Sequence, residues 1–143
     1  MMITIRVLAA ISALAFASGV GAAQWKQVGK AAGVELWIDT ASVKRSNGEV
    51  AFEYRIDNAK ALTVVDGKGV YRSTITKAKV RCNQRSISIG PSVAYAGAKG
   101  TGNVVARIPP TPDEARFQPV ERDSSDESLW QQVCRIAQLT PQK

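Results

Sequence analysis

The sequence predicts an α+β fold: an antiparallel sheet of about five or six strands packed against one C-terminal helix, with one disulfide. Three observations carry this expectation. Apolar and polar residues alternate through most of the chain, the period of a half-buried strand. One stretch near the C-terminus shifts to helical spacing behind an N-cap signature. The chain of 143 residues contains 2 Cys and opens on an export signal.

The export signal comes first. Arg6 supplies a positive n-region, Val7–Ala17 is apolar apart from Ser12, and small residues run to Ala23. This is the three-part pattern of a secretory signal peptide over 1–23, with cleavage expected after Ala23 and a single domain over 24–143. The apolar run is shorter than the roughly 20 residues that a membrane span needs. No cysteine follows it to accept a lipid. The product is therefore expected in the periplasm or secreted, with no lipid anchor and no membrane span. In such an oxidising compartment Cys82 and Cys134 pair by default. The bridge closes a loop for which chain entropy predicts about 4 kcal/mol. A redox dithiol would use C-x-x-C spacing, which these two lack.

The elements follow in order. Val34, Leu36 and Ile38 share a strand face, and 39–45 reads as a turn or short helical turn. Asn47-Gly48 is a hairpin signal. Val50, Phe52, Tyr54 and Ile56 then point one way, while Ala51, Glu53, Arg55 and Asp57 point the other, giving one buried and one wet face. Residues 58–70 are broken by Gly67 and Gly69. Tyr71–Cys82 reads as a long strand, 83–84 as a break, and Arg85–Tyr95 as the next strand, with Gly90-Pro91 marking a bulge or an edge. The segment 97–102 is a hairpin loop before a short strand over 103–108. Pro109, Pro110, Pro112 and Pro119 mark an irregular connection. Ser124 with Glu127 forms a capping box. Behind it Leu129, Trp130, Val133, Cys134, Ile136 and Ala137 form one apolar stripe, and the helix stops before Pro141. A Cys82–Cys134 bridge would tie this helix to the sheet.

The composition excludes several chemistries. With His 0, there is no Ser-His-Asp or Cys-His catalysis and no His-ligated metal. The glycines of 97–102 lie between strands and match neither phosphate-loop pattern. Glu121, Asp123, Asp126 and Glu127 lack calcium-loop spacing and suit a helix N-terminus instead. No catalytic, cofactor-binding or metal residue is assigned, and the expectation is a non-enzymatic protein without cofactor.

Binding is the better prospect. Lys+Arg 19 against Asp+Glu 12 gives a formal charge of +7. Lys77, Lys79 and Arg81 alternate along one strand and so share a face. Lys44, Arg45, Arg55, Arg72 and Arg85 could add to its field. Trp37 opposes the apolar face of its strand and would suit a contact site. Lys77, Lys79, Arg81 and Trp37 are thus the candidate ligand-binding residues, for an anionic polysaccharide or a protein partner. Nucleic acid is not expected, because aromatics do not interleave with the basic run. The alternative is a structural or accessory envelope protein, homodimeric through a sheet edge, whose lysines keep edges soluble.

Four segments carry a family resemblance: Trp25-Lys26-Gln27-Val28 directly after the leader, Leu36–Arg45 with its Asp-x-x-Ser-Val-x-Arg pattern, Val80–Arg85, and Leu129–Cys134 with its Leu-Trp-x-x-x-Cys pattern. In this order the chain resembles the surface-adhesin protein E family of Gram-negative bacteria. The resemblance implies a sheet against a C-terminal helix, joined cysteines, and a cell-surface role in which host extracellular-matrix proteins and plasminogen are bound. The chain departs from the namesake adhesin in lacking a lipid-attachment cysteine. The matching positions are of core, turn and disulfide type, so the resemblance transfers no ligand-contact residue.

Overall fold

The computed structural model describes residues 22–66 and 68–139. The leader assigned to 1–23 lies outside these residues except for Ala22 and Ala23. Six strands follow one another as an antiparallel meander: β1 (Trp25–Ala31), β2 (Val34–Ser46), β3 (Glu49–Thr63), β4 (Val70–Arg81), β5 (Ser86–Tyr95) and β6 (Val104–Ile108). Each pairs with its chain neighbour, which is what short turns between alternating segments dictate. A four-residue helix α1 (Pro112–Ala115) and a two-residue strand β7 (Gln118–Pro119), paired with β5, occupy the proline-rich connection. The C-terminal helix α2 (Ser125–Leu139) crosses one face of the sheet.

Two segments depart from the sequence expectation. Residues 39–45 are not a turn, since β2 runs through them with a bulge between Asp39 and Lys44. The Ser42 hydroxyl makes this feasible by donating to the Asp39 carbonyl at 2.7 Å and accepting from the Glu53 amide at 2.8 Å. A side chain thus replaces the ladder bonds that the bulge removes. Likewise β3 continues to Thr63 through a wide bulge after Asp57. There the Arg72 guanidinium donates to the carbonyls of Asn58 and Ala59. The Gly90-Pro91 signal is a bulge, as expected: β5 spends an extra residue between its pairings with Thr76 and Ala78. A Cβ on Gly90 would lie 2.8 Å from the Lys77 carbonyl oxygen, so the strands approach closely there.

The core lies between α2 and the even-numbered residues of β3 and β4, Leu36 and Ile38 of β2 with Val43 beyond its bulge, and Ile87 of β5. Ile38, Val80 and Val133 are 0 % exposed, and Phe52, Ile87 and Leu129 join them. The helix starts as its cap predicts on one side only. Ser124 Oγ accepts from the Glu127 amide at 3.1 Å, but Glu127 reaches back to Asp123 N rather than to Ser124 N. Its other carboxylate oxygen pairs with Arg85. Cys82 and Cys134 form the disulfide, 52 residues apart. One turn earlier, the Trp130 indole donates to the Arg81 carbonyl at 3.2 Å. Covalent and polar ties thus hold α2 at the end of β4, leaving the opposite face of the sheet for other work.

Candidate functional site: the outer sheet face

Alternation sends the odd-numbered residues of β3, β4 and the first half of β2 to the face away from α2, and the bulge in β2 brings Lys44 to the same face. Register aligns Trp37, Arg55 and Ile75 across three strands. This half of the face is closed. Arg55 is 3 % exposed, its guanidinium 4.6 Å from the Trp25 ring centroid and 5.1 Å from that of Trp37. It donates to both carboxylate oxygens of Asp57, at 2.8 Å from Nη2 and 3.0–3.1 Å from Nε. The loop between β5 and β6 folds back over this pair. The Lys99 amide donates to Asp57 Oδ1 at 3.0 Å, and Ser73 Oγ bridges the Gly97 carbonyl and the Gly100 amide at 2.6 and 2.9 Å. The loop is the expected hairpin connection. Gly100 is required there: its φ is +69°, and a Cβ would sit 2.8 Å from Ile75 Cδ1.

This closure corrects two expectations. The outer face is not wet throughout, and Arg55 adds no field to it, because two indoles and the loop desolvate it and Asp57 neutralises it. Arg85 is likewise spent on structure. It sits 4.9 Å from the Trp130 ring centroid, donates to the Val120 carbonyl and pairs with Glu127. The hydrogen bond from Arg85 holds the Glu127 carboxyl below the usual carboxylate range.

The other half of the face is open. A groove of about 640 Å³ runs over it, lined by Lys44, Lys77, Lys79, Glu49, Glu53 and Phe117 among others. Lys77 and Lys79 stand on its floor, both exposed. The sequence-predicted set therefore divides. Lys79 Nζ lies 3.8 Å from Glu49 Oε2 with its side chain 56 % exposed, a surface pair of the kind worth under about 1 kcal/mol. Arg81 is held more firmly: it donates to Glu49 Oε1 at 3.1 Å and its guanidinium lies 3.8 Å over the Phe117 ring. Trp37 is outside the groove, half-buried against Arg55, with its indole donating to Glu35. Phe117, which the sequence reading passed over, brings an aromatic wall to the groove. It lies in the irregular proline-rich segment, where no periodicity announces which way a side chain faces.

The arrangement can hold a ligand by charge and apolar contact. Among the described residues no three His, Cys, Asp or Glu side chains gather as a metal site. The acidic run before α2 is explained locally. Burial, and then the charge of Glu121, raises the Asp126 carboxyl above its usual range, and no helix among the described residues is long and apolar enough to cross a membrane.

Comparison with known proteins agrees with this architecture. The surface-adhesin protein E family model matches residues 25–135. A solved structure of Haemophilus influenzae protein E is 19 % identical, with a TM-score of 0.54 over 70 % of this chain and 76 % of that one. A structure of protein E from non-typeable Haemophilus influenzae gives 18 %, a TM-score of 0.57, and coverage of 82 % and 79 %. Its crystal form II gives 17 % and 0.56, with 80 % and 97 % covered. No curated protein matches. At these identities the structural likeness speaks for the fold, and the family match covers most of the chain: this chain belongs to the surface-adhesin protein E family.

Proposed function

We propose that the protein is an exported, non-enzymatic binding module that holds an acidic protein segment or an anionic envelope polymer in the groove of its outer sheet face. The groove itself is the observation that carries this: a 640 Å³ depression with Lys44, Lys77 and Lys79 around an aromatic wall at Phe117. Lys77 and Lys79, exposed two residues apart on one strand, put two cations side by side on the same face of the groove. Phe117, Pro91 and Ala51 supply the apolar contact that a bare salt-dependent patch lacks. The family membership supports a surface or exported role, and host-matrix proteins are the protein partners it suggests.

The test is retention on immobilised heparin, a probe for the polyanion chemistry, together with binding to acidic matrix protein. Changing Lys44, Lys77 and Lys79 together to Gln, which removes the charges without setting like charges against Glu49 and Glu53, should abolish salt-sensitive retention and leave the melting temperature within a few degrees, since all three are exposed. Unchanged retention would overturn the groove reading.

Glu49 and Glu53 favour a second reading. They interleave with the cations across β3 and β4, the pattern of a solvated, self-neutralised face. On that reading the protein is a structural envelope component, homodimeric through a sheet edge, and the triple variant behaves as the wild type.

A further inference from the structure

The backbone nitrogen of Gln24 lies 2.8 Å from Asp39 Oδ1. Asp39 is 6 % exposed, and the same oxygen accepts from the Ala41 amide at 3.0 Å. Among the described residues no Lys or Arg pairs with this carboxylate. A buried carboxylate held only by neutral amides has given up hydration without gaining a countercharge. Gln24 is fixed from its other side as well: its carbonyl accepts from the Thr40 amide at 2.8 Å and the Thr40 hydroxyl at 3.1 Å. Both backbone polar groups of one residue are thus docked onto Asp39 and Thr40. That residue directly follows the expected leader cleavage point.

We propose that Asp39 is the receptor for the α-ammonium group of Gln24, created when the leader is removed between Ala23 and Gln24. The reaction is hydrolysis by the host's leader peptidase. Water adds across the Ala23–Gln24 peptide bond, Ala23 departs with the new carboxylate, and Gln24 keeps the nitrogen as an amine that takes up a proton. The nitrogen need not move. A neutral amide with one hydrogen becomes a cation with three, already at hydrogen-bond distance from a buried anion. Processing then completes an ion pair that the uncleaved chain cannot form, so the mature protein is the more stable form. This rests on the export reading and is independent of what the groove binds.

The pH signature has a definite sign. Asp39 raises the pKa of the amine above its ordinary range of about 7.7–8.0. A raised cationic pKa contributes stability below the unfolded value and loses it as pH climbs through the folded one. The neighbouring charges are Glu53, opposite Asp39 on β3, which adds to the raising but itself faces the exposed Lys77 on β4, and Arg55, whose charge Asp57 already balances. Lys26 on β1 and Lys44 beyond the bulge are exposed to solvent. The charges of α2 lie across the sheet.

The full-length chain is exported from a Gram-negative host in three forms: wild type, a form with one Gly inserted between Ala23 and Gln24, and Asp39→Asn. Intact mass reads the mature N-terminus and whether Gln24 has cyclised with loss of ammonia. The expected result is a wild type that begins at uncyclised Gln24. At about pH 6 it should melt about 5 °C above the insertion form. That gap should close by about pH 10.5, where the amine is neutral. Asp39→Asn, which keeps the acceptor and drops the charge, should melt with the insertion form. Should that variant fail to fold, the insertion form decides alone, because it alters no residue of the sheet. Retention of the leader overturns the export reading and this proposal together. Cleavage elsewhere, cyclised Gln24, or equal melting of wild type and insertion form at both pH values overturns the proposal alone.

Discussion

Arg55 and Asp57 show how much a single buried pair can decide. Their side chains are 4 % and 10 % exposed, so each charge depends on the other rather than on water. Removing one partner of such a pair costs about 3–5 kcal/mol, whereas removing both charges costs far less. Arg55→Met leaves the Asp57 anion under the glycine loop with only the Lys99 amide for company, and should lower stability by about 3 kcal/mol or more in urea unfolding. Arg55→Met combined with Asp57→Asn retains the acceptor for Lys99 and should recover at least half of that loss. A double variant no better than the single one would mean that the two indoles, through their contact with the guanidinium, and not the ion pair, hold this half of the face. None of this was legible from alternation. Period two says which face a side chain is on, and it correctly placed Trp37 and Arg55 opposite the core. It is silent on what later folds over that face, and the loop that does so is 42 residues further along the chain from Asp57 to Lys99.

At the scale of elements the sequence was more informative, because strands and helices advertise their faces over several residues at once. The apolar stripe of α2 named its buried residues Leu129, Val133, Cys134 and Ala137 correctly, and the cysteine count led to the bridge. The misread stretch, 39–45, failed for a local reason. Asp39, Thr40 and Ser42 within four residues are turn formers on their own, and here Ser42 spends its hydroxyl on repairing a strand bulge instead. The disulfide is the element-scale device with the largest stake. It closes a loop of 52 residues, for which the chain-entropy model gives about 4 kcal/mol. Cys82→Ser with Cys134→Ser should therefore lower the unfolding free energy by about that amount, without changing the far-UV spectrum of any protein that still folds. The Trp130–Arg81 hydrogen bond and the Arg85–Glu127 pair remain to hold α2 in place. A loss well under 1 kcal/mol would show that these ties, and not the bridge, fix the helix.

The whole molecule is an open sheet, and an open sheet has two edges to protect. The β1 edge carries Lys26 and Lys30 and is interrupted by a register shift between Gln27 and Gly29, all features that discourage pairing with another strand. The β6 edge is less guarded: its five residues hold one charge, Arg107, and expose Val104 and Ile108 at 46 % and 39 %. Any self-association is therefore expected through β6. The positive charge of the chain opposes it at low ionic strength, where repulsion between copies extends some 30 Å, and much less at 0.15 M, where it extends about 8 Å. Sedimentation velocity at physiological salt should show a concentration-dependent dimer that weakens as salt is lowered. Val104→Lys with Ile108→Lys should return the protein to monomer while leaving the core untouched. A wild type that stays monomeric at high concentration and physiological salt would remove the dimeric structural reading and leave the groove as the protein's working surface.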